Sequence, residues 1–184
     1  MGSYRVAVIV GSNHSASINR KLAQALVRLG GETLEFEWIR IDDLPLYSLD
    51  LEGSRPPEVT RFTDQMKAVD AVLVVTPEHN RSLPAVLKNA IDWGSKPAPD
   101  NVWRGKPAAI TGTSPGAIGT ALVQQHLRQI LGILGAHVMG GEVYISFKPD
   151  LIAEDDTVTN ESTRVFLETF MGQFATFVRK LAAP

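Results

Sequence analysis

The chain contains no cysteine. That excludes disulfides, thiolate nucleophiles and cysteine-ligated metals. It also lacks any apolar stretch approaching the roughly 20 residues that a bilayer-spanning helix needs, so no membrane association is expected. No long basic run is present. The 18 basic and 20 acidic residues are intermixed, with a net charge of −2. This leaves no electrostatic footprint for nucleic acid or an anionic membrane surface. Residues 1–4 lead straight into a strand pattern, with no room for a basic segment and a cleavable apolar stretch, so a cytoplasmic location is expected. What is present is a hydrophobic content of 44% in 184 residues. That suits one domain, residues 1–184, with a substantial core.

Along the chain, apolar β-branched runs alternate with helical spacing. Tyr4–Val10, Ala71–Thr76 and Pro107–Thr111 read as buried parallel strands, because they are almost continuously apolar. Leu34–Ile41 alternates and reads as an edge strand; Val138–Ile145 completes a set of five. Ser17–Leu29 carries Ile18, Leu22, Leu26 and Leu29 at helical intervals. Pro57–Val69, Leu83–Trp93, Ala117–Leu134 and Glu161–Leu181 supply four more helices, and Gly135 sits where a helix cap belongs. Alternation of this kind predicts an α/β fold: a flavodoxin-like three-layer sandwich, its five-stranded parallel sheet in the order 2-1-3-4-5, with helices on both faces.

Ligands of such sheets bind outside the carboxyl ends of the strands, near the point where strand order reverses. Three polar loops lie at such ends. The first is Gly11–Asn19, with Ser12, His14, Ser15, Ser17 and Asn19 around a helix start. Hydroxyls and free helix N–H groups make a phosphate cradle there. The plainer reading is that Ser15 or Ser17 only caps the helix. With one glycine after the strand and no Gly-Lys-Ser/Thr ending, this is neither a dinucleotide fingerprint nor an NTP-binding loop.

The second loop is Pro77-Glu78-His79-Asn80-Arg81-Ser82. It offers backbone and side-chain groups to a planar heterocycle. His79 also suits a general base or a metal ligand, but no partner carboxylate has metal-ligand spacing, so no metal is expected. The third loop holds Gly112-Thr113-Ser114-Pro115-Gly116. Its Gly-x-Ser-x-Gly order matches a nucleophile elbow. The oxyanion donor of that motif is the N–H of the residue after serine, and Pro115 has none. A serine hydrolase is therefore disfavoured.

Taken together, the loops resemble those of the NAD(P)H-dependent FMN reductases, which include bacterial quinone and chromate reductases. The family's first loop reads Gly-Ser-x-Arg-x-x-Ser-x-Asn, here residues 11–19. Its second reads Pro-Glu-Tyr-Asn-x-Ser-x-Pro-Gly-x-Leu-Lys-Asn-Ala-Ile-Asp-Trp, here residues 77–93. The resemblance covers nearly the whole chain in order.

It implies bound FMN, with NADPH or NADH as hydride donor and a second small-molecule acceptor: a quinone, free flavin, azo compound or metal oxyanion such as chromate. By position, Ser12, His14, Ser17, Ile18 and Asn19 would surround the phosphate. Pro77, Glu78, His79, Asn80 and Ser82 would line the isoalloxazine, with Ser114 and Gly116 nearby. No side-chain acid or base is required, so no catalytic residue is assigned. Two substrates sharing one flavin face would take turns, giving ping-pong kinetics. Arg81 is placed to attract the anionic nicotinamide nucleotide. The resemblance also implies a homodimer or homotetramer. His14 stands for the family arginine, making charge there weaker and pH-dependent; His79 stands for a tyrosine, and Ala85 for a glycine. An electron carrier like flavodoxin, or a flavin-binding module without turnover, remains an alternative reading.

Overall fold

In the computed structural model, residues Ser3–Ala182 are described. The sheet comprises β1 (Tyr4–Val10), β2 (Leu34–Trp38), β3 (Ala71–Val75), β4 (Pro107–Ser114), β5 (His137–Val138) and β6 (Tyr144–Ser146). Its order is β2-β1-β3-β4-β5, with β6 also on β4, and every pairing is parallel. The helices are α1 (Ile18–Leu29), α2 (Pro57–Lys67), α3 (Ala85–Gly94), α4 (Ala121–Ile133) and α5 (Glu161–Leu181). The expected flavodoxin-like order is the observed one. Among the described residues no helix is long and apolar enough to cross a membrane.

Why the strands read as unbroken apolar runs is visible in the two cores. Side chains alternate across a strand. Val6, Val8 and Val10 of β1 face α1 and α5, together with Leu73, Leu26, Phe170 and Phe174. Ala7 and Ile9 face α2, α3 and α4, with Val74, Phe62, Trp93 and Leu127. Each face is buried, so both parities must be apolar. Every fully buried Val, Leu or Ile contributes about 1.5–3 kcal/mol of burial.

One expected element is different. Instead of a single strand over 138–145, the chain forms two short strands, β5 and β6. Pro107 and Ala108 pair with His137 and Val138; Gly112 to Ser114 then pair with Tyr144 to Ser146. Residues 109–111 therefore lie opposite residues 139–143, and the outer chain bulges at Gly140-Gly141, where Gly141 has φ +84°. The carbonyls freed by the break find side-chain donors on α4. Arg128 donates to those of Met139 and Gly141. Gln124 Nε2 reaches the Val143 carbonyl at 2.9 Å, which Thr111 Oγ1 also reaches at 3.0 Å.

The end of β4 runs tightly beside β3. A Cβ on Gly112 would lie 1.9 Å from the Thr76 carbonyl oxygen, a backbone atom that cannot give way. Gly112→Ala is therefore expected to destabilise the fold by about 3 kcal/mol or more, read by urea unfolding. Gly172 in α5 meets nothing within 4 Å. Gly172→Ala should act oppositely, adding about 0.5–1 kcal/mol through helix propensity.

Candidate active site

Three loops emerge side by side from the carboxyl ends of β1, β3 and β4. The first leaves β1 at Gly11, whose N–H donates to the Val75 carbonyl at 2.9 Å. Ser12 is half-buried, and residues 13–16, including His14, are exposed. Ser17 caps α1: its hydroxyl accepts from the Arg20 N–H at 3.3 Å. Of the two serines the sequence left open for this task, Ser17 is the one that caps. Ile18 and Asn19 open the helix, so their N–H groups have no partner within it. No acidic residue stands in that first turn. Aligned peptide dipoles place about half a positive charge there.

Asn19 is engaged differently from the phosphate role its position suggested. It is 1% exposed. Its Nδ2 donates to the Thr113 carbonyl and its Oδ1 accepts from the Thr113 N–H, both at 2.9 Å. The side chain thus ties the start of α1 to the end of β4. Phosphate donors at this loop are left to the free helix amides and the hydroxyls of Ser12 and Ser17.

The second loop is a tight turn. His79 N–H donates to the Ser82 carbonyl at 3.0 Å and Ser82 N–H to that of His79 at 2.8 Å. Asn80 and Arg81 at its tip have φ of 49° and 64°. Two positive φ values are the signature of a mirror-image two-residue turn; asparagine tolerates this conformation, whereas arginine is strained in it. His79, Asn80 and Arg81 are exposed and Pro77 is half-buried. Ser82 Oγ lies 3.1 Å from His126 Nδ1 on α4.

Glu78 fastens this turn. Its side chain is 7% exposed. Oε2 accepts from the N–H groups of Leu122 and Val123 at 3.0 and 3.2 Å. Oε1 accepts from Arg81 Nη1 at 3.2 Å. α4 has no cap from its own Thr120 side chain, so the carboxylate caps it from another loop, where its charge complements the positive helix end. The sequence gives no sign of this partnership, because the residues concerned are more than 40 positions apart.

The third loop closes on itself. Ser114 Oγ donates to the Gly119 carbonyl at 2.7 Å and accepts from the Gly116 N–H at 3.2 Å. With its proton given to a carbonyl, Ser114 is a loop tie. Between the second and third loops lies an open groove of about 460 Å³, bordered by Glu78, Asn80 and Arg81 on one side and Ser114, Gly116 and Ile118 on the other. The structure therefore brings Glu78, Asn80, Ser114 and Gly116 together. Ser82 faces α4 instead, Ser12 lines a hollow on the other side of the β1 loop, and His14 is exposed without lining the groove.

The donor set fits FMN. An anion-seeking helix start with two hydroxyls suits a phosphate. An open groove bordered by polar side chains, glycines and the aliphatic Ile118 suits a flat ring with polar edges.

Removing the Glu78 carboxylate leaves two helix amides without their acceptor. Glu78→Ala should cost about 1–3 kcal/mol. It should also speed hydrogen exchange at Leu122 and Val123, whereas Glu78→Gln, which keeps an acceptor, should exchange more slowly than the alanine variant.

Comparison with known proteins identifies the family. The family model described as NADPH-dependent FMN reductase matches residues 4–150. The chain is 44% identical over 176 residues to the 2-hydroxy-1,4-benzoquinone reductase of a Burkholderia species, covering 95% of this chain and 96% of that one. It is 46% identical over 178 residues to the quinone reductase of Pseudomonas putida, covering 96% and 95%. The solved structure of FerB, a flavoenzyme NAD(P)H:(acceptor) oxidoreductase from Paracoccus denitrificans, is similar with a TM-score of 0.93 and 44% identity, over 97% of this chain and 98% of that one. The chain belongs to the NADPH-dependent FMN reductase family, and it is an NAD(P)H-dependent oxidoreductase that uses FMN.

Proposed function

We propose that this enzyme reduces quinones with NAD(P)H, binding FMN with its phosphate at the start of α1 and its ring in the groove between the β3 and β4 loops. The observation that carries this reading is the helix start of α1, free of acidic residues, opening onto loops that flank a groove of about 460 Å³. FMN, when bound, accepts hydride from the nicotinamide and passes electrons to the acceptor.

The chain's own residues hold and orient. The amides of Ile18 and Asn19 and the hydroxyls of Ser12 and Ser17 hold the phosphate, with His14 at the rim. The Asn80-Arg81 tip would border one side of the ring, and Ser114 and Gly116 the other; Pro77 and His79 flank the tip without lining the groove. Glu78 fixes the tip rather than reacting, because its oxygens are already taken by α4 and Arg81. Arg81 is 66% exposed at the groove's mouth, where it attracts an anionic nucleotide. Because the groove is open on one side, donor and acceptor would enter it in turn.

A quinone is the favoured acceptor, supported by relatives named for quinone reduction. Free flavins, azo compounds and chromate are the other acceptor classes the sequence resemblance brings. The nicotinamide donor is in keeping with a cytoplasmic enzyme. Exposed apolar residues on α4, Leu122 at 38% and Ile133 at 85%, are in keeping with a homodimer or homotetramer built on that helix.

The deciding experiment is an absorbance spectrum of the purified protein followed by anaerobic NADPH. Yellow protein that bleaches, recovers its colour with a quinone, and gives parallel lines in double-reciprocal plots supports the proposal. Protein that takes up no FMN sinks it, and protein that binds FMN but turns over negligibly with any nicotinamide donor is instead a carrier. Arg81→Ala should raise KM for NAD(P)H severalfold with little change in kcat; an unchanged KM discards the role of that side chain.

A further inference from the structure

A second cavity lies on the other side of the β1 loop from the groove. It holds about 370 Å³, between the carboxyl ends of β1 and β2 and the first turn of α1. That volume falls within the range of small-ligand sites. Its lining includes Val10, Ser12, Arg20, Trp38, Arg40 and Asp42. Ser12 and Arg20 belong to the phosphate loop and first helical turn as well, so the cavity adjoins the proposed FMN phosphate site.

Two features are unusual for a surface hollow. Trp38 ends β2 with 40% of its surface exposed. A large indole left open at a cavity wall offers a stacking face to a flat aromatic ligand. Beside it, Arg40 is held in place: its Nε donates to Asp42 at 2.8 Å, and Nη1 lies 3.7 Å from Asp43. Asp43 also holds Arg61 at 2.9 Å. In the lining itself, Arg20 and Arg40 stand against Asp42 alone, an excess of one positive charge. The bond from Arg40 keeps the Asp42 carboxyl below its ordinary range, so it is ionised at neutral pH and accepts hydroxyl or amino protons. The combination is an aromatic face, a fixed guanidinium for phosphate, and a carboxylate for sugar hydroxyls or an exocyclic amine.

The sheet order gives the cavity's place relative to the groove. Reading β2-β1-β3-β4, the cavity sits at β2 and β1, the phosphate loop after β1, and the groove after β3 and β4. A ligand that reached from the groove to the cavity would be elongated and would present an aromatic group to Trp38 at its far end. We infer that this cavity takes the adenosine end of the nicotinamide dinucleotide, with the adenine against Trp38 and the 2′-phosphate of NADPH near Arg40 and Arg20. This rests on the proposed placement of FMN for its direction, but the cavity's own chemistry does not depend on turnover.

The test uses FMN-loaded protein and adenosine 2′,5′-bisphosphate, which carries the adenosine end without the nicotinamide. The bisphosphate is expected to quench tryptophan fluorescence, to give a calorimetric binding isotherm, and to compete with NADPH. Trp38→Ala should abolish the isotherm and raise KM for NADPH about tenfold, in keeping with the loss of one base–aromatic stack. It should leave kcat, and KM for reduced nicotinamide mononucleotide, which has no adenosine, unchanged. Trp38→Phe, which keeps a stacking ring and guards against a folding artefact, should recover most of the affinity. Arg40→Gln should erase the preference for the bisphosphate over 5′-AMP. Absence of binding to the wild-type protein overturns the inference. So does an equal rise in KM for both donors in Trp38→Ala. Bisphosphate binding that needs Trp38, in a protein with no nicotinamide turnover, would leave the cavity assignment standing and defeat the proposed reaction alone; turnover without such binding would do the reverse.

Discussion

Everything at the carboxyl edge of the sheet depends on the two hydrogen bonds between the Asn19 side chain and the backbone of Thr113. Between Gly11 and Ser17 the chain has little else to fix it, since residues 13–16 are exposed. Asn19 reaches from the start of α1 past β3 to the end of β4 and satisfies both an N–H and a C=O there, at 2.9 Å each. At 1% exposure no water replaces it. Each bond is worth only about 1 kcal/mol net, but an apolar residue at this position would strand two buried backbone groups at about 1–3 kcal/mol each. The position of the helix start relative to the groove is therefore set by this amide together with the buried packing of Leu22 and Leu26.

The Glu78 carboxylate is the second fastening, and it makes the turn at the β3 end rigid. Arg81 at φ 64° is in a conformation that costs an L-residue roughly 1–2 kcal/mol. That strain persists because neighbouring bonds over-determine the turn: the paired His79 and Ser82 backbones, the Glu78–Arg81 ion pair, and the Glu78 bonds to α4. At 66% exposure of the arginine side chain the ion pair itself adds little; its effect is to orient. Together the two fastenings join all three loops to each other and to α1 and α4. A site held this way does not have to pay for loop ordering when a ligand arrives, which is the main gain from preorganisation.

Much of this was legible in the sequence, and the gaps have physical causes. β1, β3 and β4 stand out because strands buried on both faces must be apolar at every position. The three loops were found because strand ends and helix starts bracket them. The break between β5 and β6 was hidden: Gly140-Gly141 is a weak mark, and the carbonyls it frees are satisfied by Gln124 and Arg128 from α4, which only tertiary structure brings near. The roles of Asn19 and Glu78 were hidden for the same reason, since their partners are distant in sequence and are backbone atoms, which leave no side-chain signature. Trp38 left none, because the alternation continues past it to Ile41 and only the structure ends β2 at the indole.

Arg20 exposes a local conflict that separates α1 from most of its neighbours. A helix start is favoured by negative charge. α2 has Glu58 in its first turn and α5 has Glu161, and α4 receives the Glu78 carboxylate from across the groove. α1 has instead Arg20 and Lys21 in its opening turn and no acid. Two cations against the positive end of the helix dipole oppose the helix by up to about 1 kcal/mol each at low ionic strength. Sequences that specify a fold keep their local and global preferences in agreement, and departures concentrate where function demands them. An anion seated at the α1 start reverses the sign of this term, converting repulsion among fixed positive groups into attraction for a ligand. Because the bound anion stabilises only the folded state, binding strength and fold stability are linked at this one turn.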